Sequence, residues 1–85
     1  MSHSLVGVTG SSPLTPTEFR LLGALMAAPG SVLRRRELVR AGWADGSRVS
    51  DNTLDQYVAR LRRKLSDVGA PETITTARGI GHRYA

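Results

Sequence analysis

The sequence predicts an α+β domain, mostly α, in which three helices are followed by a C-terminal β-hairpin. Three observations predict it. A capped segment opens at Thr15 and stops at Pro29-Gly30, a long amphipathic segment runs from Asn52 to Leu65, and two short β-forming stretches flank Arg78-Gly79-Ile80-Gly81. The 85 residues make one small domain. A chain of this size buries only about 60% of its unfolded surface, so the core is modest.

Residues 4–8 (SLVGV) have β-forming character but run at once into Gly-Ser-Ser-Pro at 10–13. Residues 1–13 therefore read as a weak strand or disordered lead ahead of a domain at 14–85, with any N-terminal sheet reduced or absent. Thr15-Pro16-Thr17-Glu18 then supplies a side-chain cap, a proline at the first helical position and a glutamate three residues after the cap. The helix it starts is expected to bury Phe19, Leu22, Leu25 and Met26. Val32 and Leu33 form an extended link. A second helix from Arg35 to Ala41 buries Leu38 and Val39 and is closed by Gly42. Arg34, Arg35 and Arg36 stand at its start, where cations oppose the helix dipole; phosphate contact and plain solvation both account for them. After the loop from Trp43 to Val49, Ser50 or Asp51 caps the third helix, which stops near Gly69-Ala70-Pro71. Strands at 73–77 and 82–85 are joined by a turn whose glycines permit positive φ.

The third helix carries the chemistry. Leu54, Val58, Leu61 and Leu65 fall on one stripe at 3.6 residues per turn. The opposite side holds Asn52, Thr53, Gln56, Arg60 and Arg63, side chains of the kind that reach base edges and phosphates. The charge agrees with this: up to Leu33 only Glu18 and Arg20 are charged, whereas from Arg34 onward eleven basic residues face six acidic ones and supply the whole net charge of +5. A basic half grafted on a neutral half suits an anionic partner. Two braced helices, a third that fits a major groove about 12 Å wide and a basic hairpin tip together form a DNA-reading arrangement. Arg78, just before Gly79, is the residue that reaches a minor groove.

The segments LTPTEFRLLGALMAAPGSVL at 14–33, REL at 36–38, Trp43, TLDQYVARLRRKL at 53–65 and ITTARGIGHRY at 74–84 occur in the order found in a known family. With them the chain resembles the winged-helix DNA-binding domain of OmpR/PhoB-type response regulators. The resemblance implies a winged helix-turn-helix whose hairpin is the wing, and a transcription regulator of a two-component system that binds double-stranded DNA. It implies that Thr53, Gln56 and Arg60 face bases and that Arg78 enters the minor groove. It also implies that Trp43, Asn52, Tyr57 and Arg62 lie near phosphates, while Thr76 and His82 approach the backbone. Arg63 shares the outward face and is read as a phosphate contact or an ordinary surface charge. Tyr57 is open to partial burial as well, Trp43 to packing of the loop, and Lys64 reads as solvated. Asp55, beside the apolar stripe, reads as an orienting or structural residue that pairs with a neighbouring arginine.

The chain departs from the family at several points. The family begins with a four-stranded sheet, of which residues 1–13 supply at most one strand, and it has a cap residue at Arg34, an aromatic ring at His82 and often a basic residue at Ala59. Similar domains touch RNA polymerase through the loop matching 44–49 and bind as tandem homodimers on repeated half-sites. The alternative function is therefore a protein-interaction module that docks RNA polymerase or a fused domain through that loop. No cysteine is present to make a disulfide or thiolate zinc site, and His3 and His82 lie too far apart in context to hold a metal. Neither a nucleophile–base pair nor a phosphate-cradling glycine loop can be assembled, so no enzyme and no cofactor are expected. No apolar run approaches the roughly 18 residues of a membrane span, so no membrane partner is expected and the cytoplasm is the expected location.

Overall fold

A paired hairpin, rather than a single weak strand, precedes the helices. The computed structural model describes residues 3–7 and 10–85, with side chains from Pro13 onward. The side chain of His3, expected to hold no metal, and Val8 of the expected strand lie outside the described residues. Strands β1 (His3–Gly7) and β2 (Gly10–Leu14) pair antiparallel, from His3 opposite Leu14 to Gly7 opposite Gly10. Among the described residues the N-terminal sheet has two strands, and β2 runs across the boundary expected at residue 13. Leu14, at its end, is buried in the core.

Helix α1 (Pro16–Ala27) begins as its sequence dictates. The Thr15 hydroxyl accepts from the Glu18 amide at 3.1 Å, and Glu18 Oε1 accepts from the Thr15 amide at 2.9 Å. The helix buries Glu18, Leu21, Leu22 and Leu25. Phe19 and Met26, expected in the core, are 45% and 47% exposed, and Leu21 takes the interior place instead.

The extended link becomes strand β3 (Leu33–Arg34), which leads directly into α2 (Arg35–Gly42). At the start of α2 the Arg34 side chain makes no cap bond, and Glu37 Oε1 accepts the Arg34 amide at 3.0 Å. Gly42 is the last helical residue and has no positive φ; its role is contact, because an added Cβ would meet Leu21 Cδ2 and Cγ at 3.0 Å. The Gly42 carbonyl, free at the helix end, accepts from Arg20 Nη2 at 3.0 Å, which ties α1 to α2.

Helix α3 (Asp51–Asp67) is capped by Ser50, whose Oγ accepts the Thr53 amide at 3.1 Å. Its stripe of Leu54, Val58, Leu61 and Leu65 is fully buried, as its spacing predicts. Strands β4 (Ile74–Ala77) and β5 (Gly81–Tyr84) form the C-terminal hairpin, and β3 pairs with the far edge of β5. The sheet order is β3-β5-β4. Of the two turn glycines, only Gly79 has positive φ, at 75°. Gly81 is required for a different reason, since a Cβ there would run into the Leu33 carbonyl oxygen of β3.

Candidate nucleic-acid interface

One side of α3 is packed, and its other side is open. Asn52, Gln56, Arg60 and Arg63 are all exposed, and Thr53 is half-buried beside the cap, where its Oγ1 accepts from Ser50 Oγ at 2.9 Å. The predicted base-facing residues therefore share the solvent side of one helix, opposite the core stripe. A helix 17 residues long leaves more than a full turn on either side of Arg60, so the arginine stands on rigid scaffold.

Arg60 is further constrained. Its guanidinium carbon lies 4.5 Å from the centroid of the Tyr57 ring, and Trp43 meets that ring edge-on with centroids 5.1 Å apart and planes at 82°. Tyr57 and Trp43 are half-buried and pack against the core cluster, so both have the partial burial that their positions allowed. The result is a rising stack, Trp43 to Tyr57 to Arg60, that carries a cation from the core edge out to the helix surface. Such a contact contributes roughly 0.5–1 kcal/mol at an exposed site.

The opposite flank of α3 meets the hairpin. Arg62 Nε donates to the Ile74 carbonyl at 2.8 Å and its Nη2 to Thr76 Oγ1 at 3.4 Å. Thr76 Oγ1 lies 3.1 Å from His82 Nδ1, and His82 Nε2 lies 3.8 Å from Asp55 Oδ1. His82, expected to approach the DNA backbone, is buried at 5% exposure on the face of the hairpin that meets α3. Its imidazole stands in the interior position of β5 that faces α3. Burial pushes its imidazole below the ordinary value of 6.5; Asp55 opposes that shift, and Arg62 and Arg35 reinforce it. Asp55 consequently faces a histidine, while Arg35 lies 2.6 Å from Asp51. That ion pair gives one member of the arginine triplet a partner.

At the tip of the hairpin Arg78 is exposed and has no side-chain partner among the described residues, and the turn is closed by the Ile80 amide donating to the Ala77 carbonyl at 2.9 Å. Between this tip and the N-terminal end of α3 lies a cleft of about 340 Å³, walled by Arg35, Asp51, Asp55, Arg78 and His82 among others. The loop after α2 is exposed from Ala44 to Arg48 and turns at Gly46, where φ is 82°.

Lys64, expected to be solvated, is half-buried and reaches Glu18 Oε1 at 2.7 Å and the Pro13 carbonyl at 2.9 Å. Glu18 is wholly buried, and its second oxygen has no partner among the described residues. Desolvation raises the carboxyl pKa, but the Lys64 ammonium and the Thr15 amide outweigh it and hold the group below its ordinary 4.5. Nothing in the sequence signals this pair, because its partners stand 46 positions apart.

Residues 10–84 match the family described as "Transcriptional regulatory protein, C terminal". The phosphate regulon transcriptional regulatory protein PhoB of Rhizobium meliloti (strain 1021) is 44% identical over 69 residues, covering 81% of this chain and 30% of that protein. PhoB of Klebsiella pneumoniae is 39% identical over 86 residues, covering 99% of this chain and 37% of that protein. The chain thus spans about a third of the length of these relatives. Among solved structures, the DNA-binding domain of the response regulator AdeR, in complex with an intercistronic region, superposes with a TM-score of 0.83 at 29% identity, covering 96% of this chain and 84% of that one. The DNA-binding domain of Bacillus subtilis CssR does so with a TM-score of 0.82 at 26% identity, covering 96% of this chain and 90% of that one.

Proposed function

Since the chain belongs to the OmpR/PhoB-type family of C-terminal domains of transcriptional regulatory proteins, we propose that it binds double-stranded DNA sequence-specifically and regulates transcription from the bacterial cytoplasm. Helix α3 lies in the major groove with Thr53, Gln56 and Arg60 on bases, and Arg78 enters the adjoining minor groove. Asn52, Arg63 and the polar edges of Trp43 and Tyr57 hold phosphates. The observation that carries this reading is the open face of α3: Asn52, Gln56, Arg60 and Arg63 project to solvent together, with the exposed Arg78 to one side. The AdeR domain, whose structure is a DNA complex, supports it through its likeness to the whole chain.

A fluorescence anisotropy titration tests the proposal. Affinity should fall steeply with salt, because each phosphate neutralised releases counterions. Arg60→Ala should flatten the base preference by roughly 1–3 kcal/mol of lost discrimination, whereas Arg63→Ala should weaken all sequences alike. No salt-sensitive duplex binding at ~0.1 mM, near the weak end of nonspecific affinity, would remove the reading.

Two finer parts of the reading concern protein partners. The exposed loop 44–49 contacts RNA polymerase, supported by its outward turn beside a cleft of about 390 Å³ lined by Arg36, Val39, Arg40 and Val49. Tandem homodimers on repeated half-sites are the second, and a titration against one and two half-sites decides it by stoichiometry.

A further inference from the structure

We infer that Arg62, Thr76 and His82 act as a clamp that sets the angle of the wing on α3, and thereby position Arg78 for minor-groove selectivity. The inference rests on the DNA-binding reading above and adds a role for residues whose types alone suggest phosphate contact.

Each link joins α3 to the wing or one strand of the wing to the other. Arg62 spends Nε on the Ile74 carbonyl at 2.8 Å and Nη2 on Thr76 Oγ1 at 3.4 Å, so two of its nitrogens are committed to β4. Thr76 Oγ1, accepting from Arg62, has its own proton left for His82 Nδ1 at 3.1 Å. That leaves the imidazole proton on Nε2, facing Asp55 Oδ1 at 3.8 Å. The chain of groups therefore starts and ends on α3, at Asp55 and Arg62, and passes through both strands of the wing. Thr76 and His82 are also directly opposite in the β4–β5 register.

The β3 ladder and the Gly30 amide, which donates to the Tyr84 carbonyl at 2.9 Å, hold β5, but without these polar links the outer strand β4 would meet α3 mainly through the apolar packing of Ile74. Apolar burial is non-directional; it holds the hairpin down but does not fix its angle. Hydrogen bonds are directional, weakening steeply below about 120°, and can fix that angle. Beyond the Thr76–His82 pair only the Ala77–Gly81 pair and the turn project, so Arg78 stands two residues from the clamped hydroxyl. A small rotation there is carried outward along the arginine.

The test uses the 85-residue chain and duplexes that it selects from a randomised library. The wild type should enrich A·T pairs on the flank reached by the wing, since the minor groove distinguishes chiefly A·T from G·C. Thr76→Val, which removes the hydroxyl and keeps the shape, should lower that preference about five-fold, and Thr76→Ser should restore it. In an Arg78→Ala background Thr76→Val should have no further effect, because the clamp acts through that arginine. An undiminished preference in Thr76→Val, no rescue by Thr76→Ser or a further loss in the Arg78→Ala background overturns the inference. A wild type without bias under the wing overturns it too, yet leaves major-groove reading by α3 standing. Absence of any salt-dependent binding overturns both.

Discussion

At the scale of single residues, the two glycines of the wing do opposite jobs. Gly79 sits at φ 75° in open space, so an alanine there meets only the left-handed backbone penalty of about 1–2 kcal/mol. Gly81 has no positive φ, but a Cβ would strike the Leu33 carbonyl oxygen, a backbone atom that cannot swing away. Gly81→Ala is therefore expected to cost about 3 kcal/mol, the upper part of the overpacking range, and more than Gly79→Ala. Urea denaturation of the two variants side by side checks this; the reverse order would mean that β3 does not approach β5 so closely. The Gly-Ile-Gly pattern signalled a turn correctly, yet could not say which glycine serves the turn and which the neighbouring strand. Arg60 offers the other residue-level experiment. Tyr57→Leu keeps apolar bulk but removes the ring beneath the guanidinium, and should weaken binding to a selected duplex about three-fold. Isothermal titration of that variant measures the effect directly.

At the scale of elements, the orientation of α1 depends on a polar contact rather than on its greasiest face. Phe19, Leu22, Leu25 and Met26 form the helical stripe that reads as core from sequence, and of these only Leu22 and Leu25 lie inside. The helix instead turns Glu18, Leu21, Leu22 and Leu25 inward, because Glu18 meets Lys64 of α3 and caps its own helix with the same oxygen. A stripe with a carboxylate in it does not read as a core face without knowledge of its partner. The elements themselves were legible: caps at Thr15 and Ser50, the stop at Pro29-Gly30 and the stripe of α3 are all local signals. Strand β3 and the paired N-terminal hairpin were not, since two or five residues with little patterning become strands only by finding a neighbour. Lys64→Met should strand the buried Glu18 carboxylate and cost about 3 kcal/mol, the low end for a broken buried pair because Lys64 keeps some solvent. Adding Glu18→Gln, which retains the acceptor for the Thr15 amide, should recover most of that loss. Failure of the double variant to recover would show that Lys64 acts chiefly through the Pro13 carbonyl.

At the scale of the whole molecule, two buried titratable groups govern stability against pH, and both act in the same direction. His82 in the folded state holds its proton less tightly than in the unfolded chain, as burial pushes its value below 6.5. As pH falls through the ordinary histidine range, the unfolded chain takes up a proton that the folded one refuses, and stability declines. Glu18 is likewise held below 4.5, so its contribution is present above that value and is lost as pH falls through its lowered folded value. Thermal midpoints should therefore be highest above about pH 7, fall in one step below about 6.5 and fall again below about 4.5. His82→Gln should abolish the first step and leave the second. Of the candidate interface, the outward side of α3 and the wing arginine were legible because helical period and turn chemistry are local. The interior place of His82 was not, because strand alternation gives two faces and only the tertiary fold says which one meets α3.

The order of the C-terminal sheet carries a consequence for how the chain reaches its fold. The last strand, β5, is the middle one, and its outer neighbour β3 comes before both α2 and α3. The β4–β5 hairpin can form locally on a microsecond scale, but the β3 ladder must wait for a loop holding two helices to close. Until residues 81–84 are in place, Leu33 and Arg34 offer bare backbone donors and acceptors along an unpaired edge. Such an edge accepts a strand from any chain, including another copy. Variants that loosen β5 should therefore show slow refolding and concentration-dependent aggregation before they show any change in the helices.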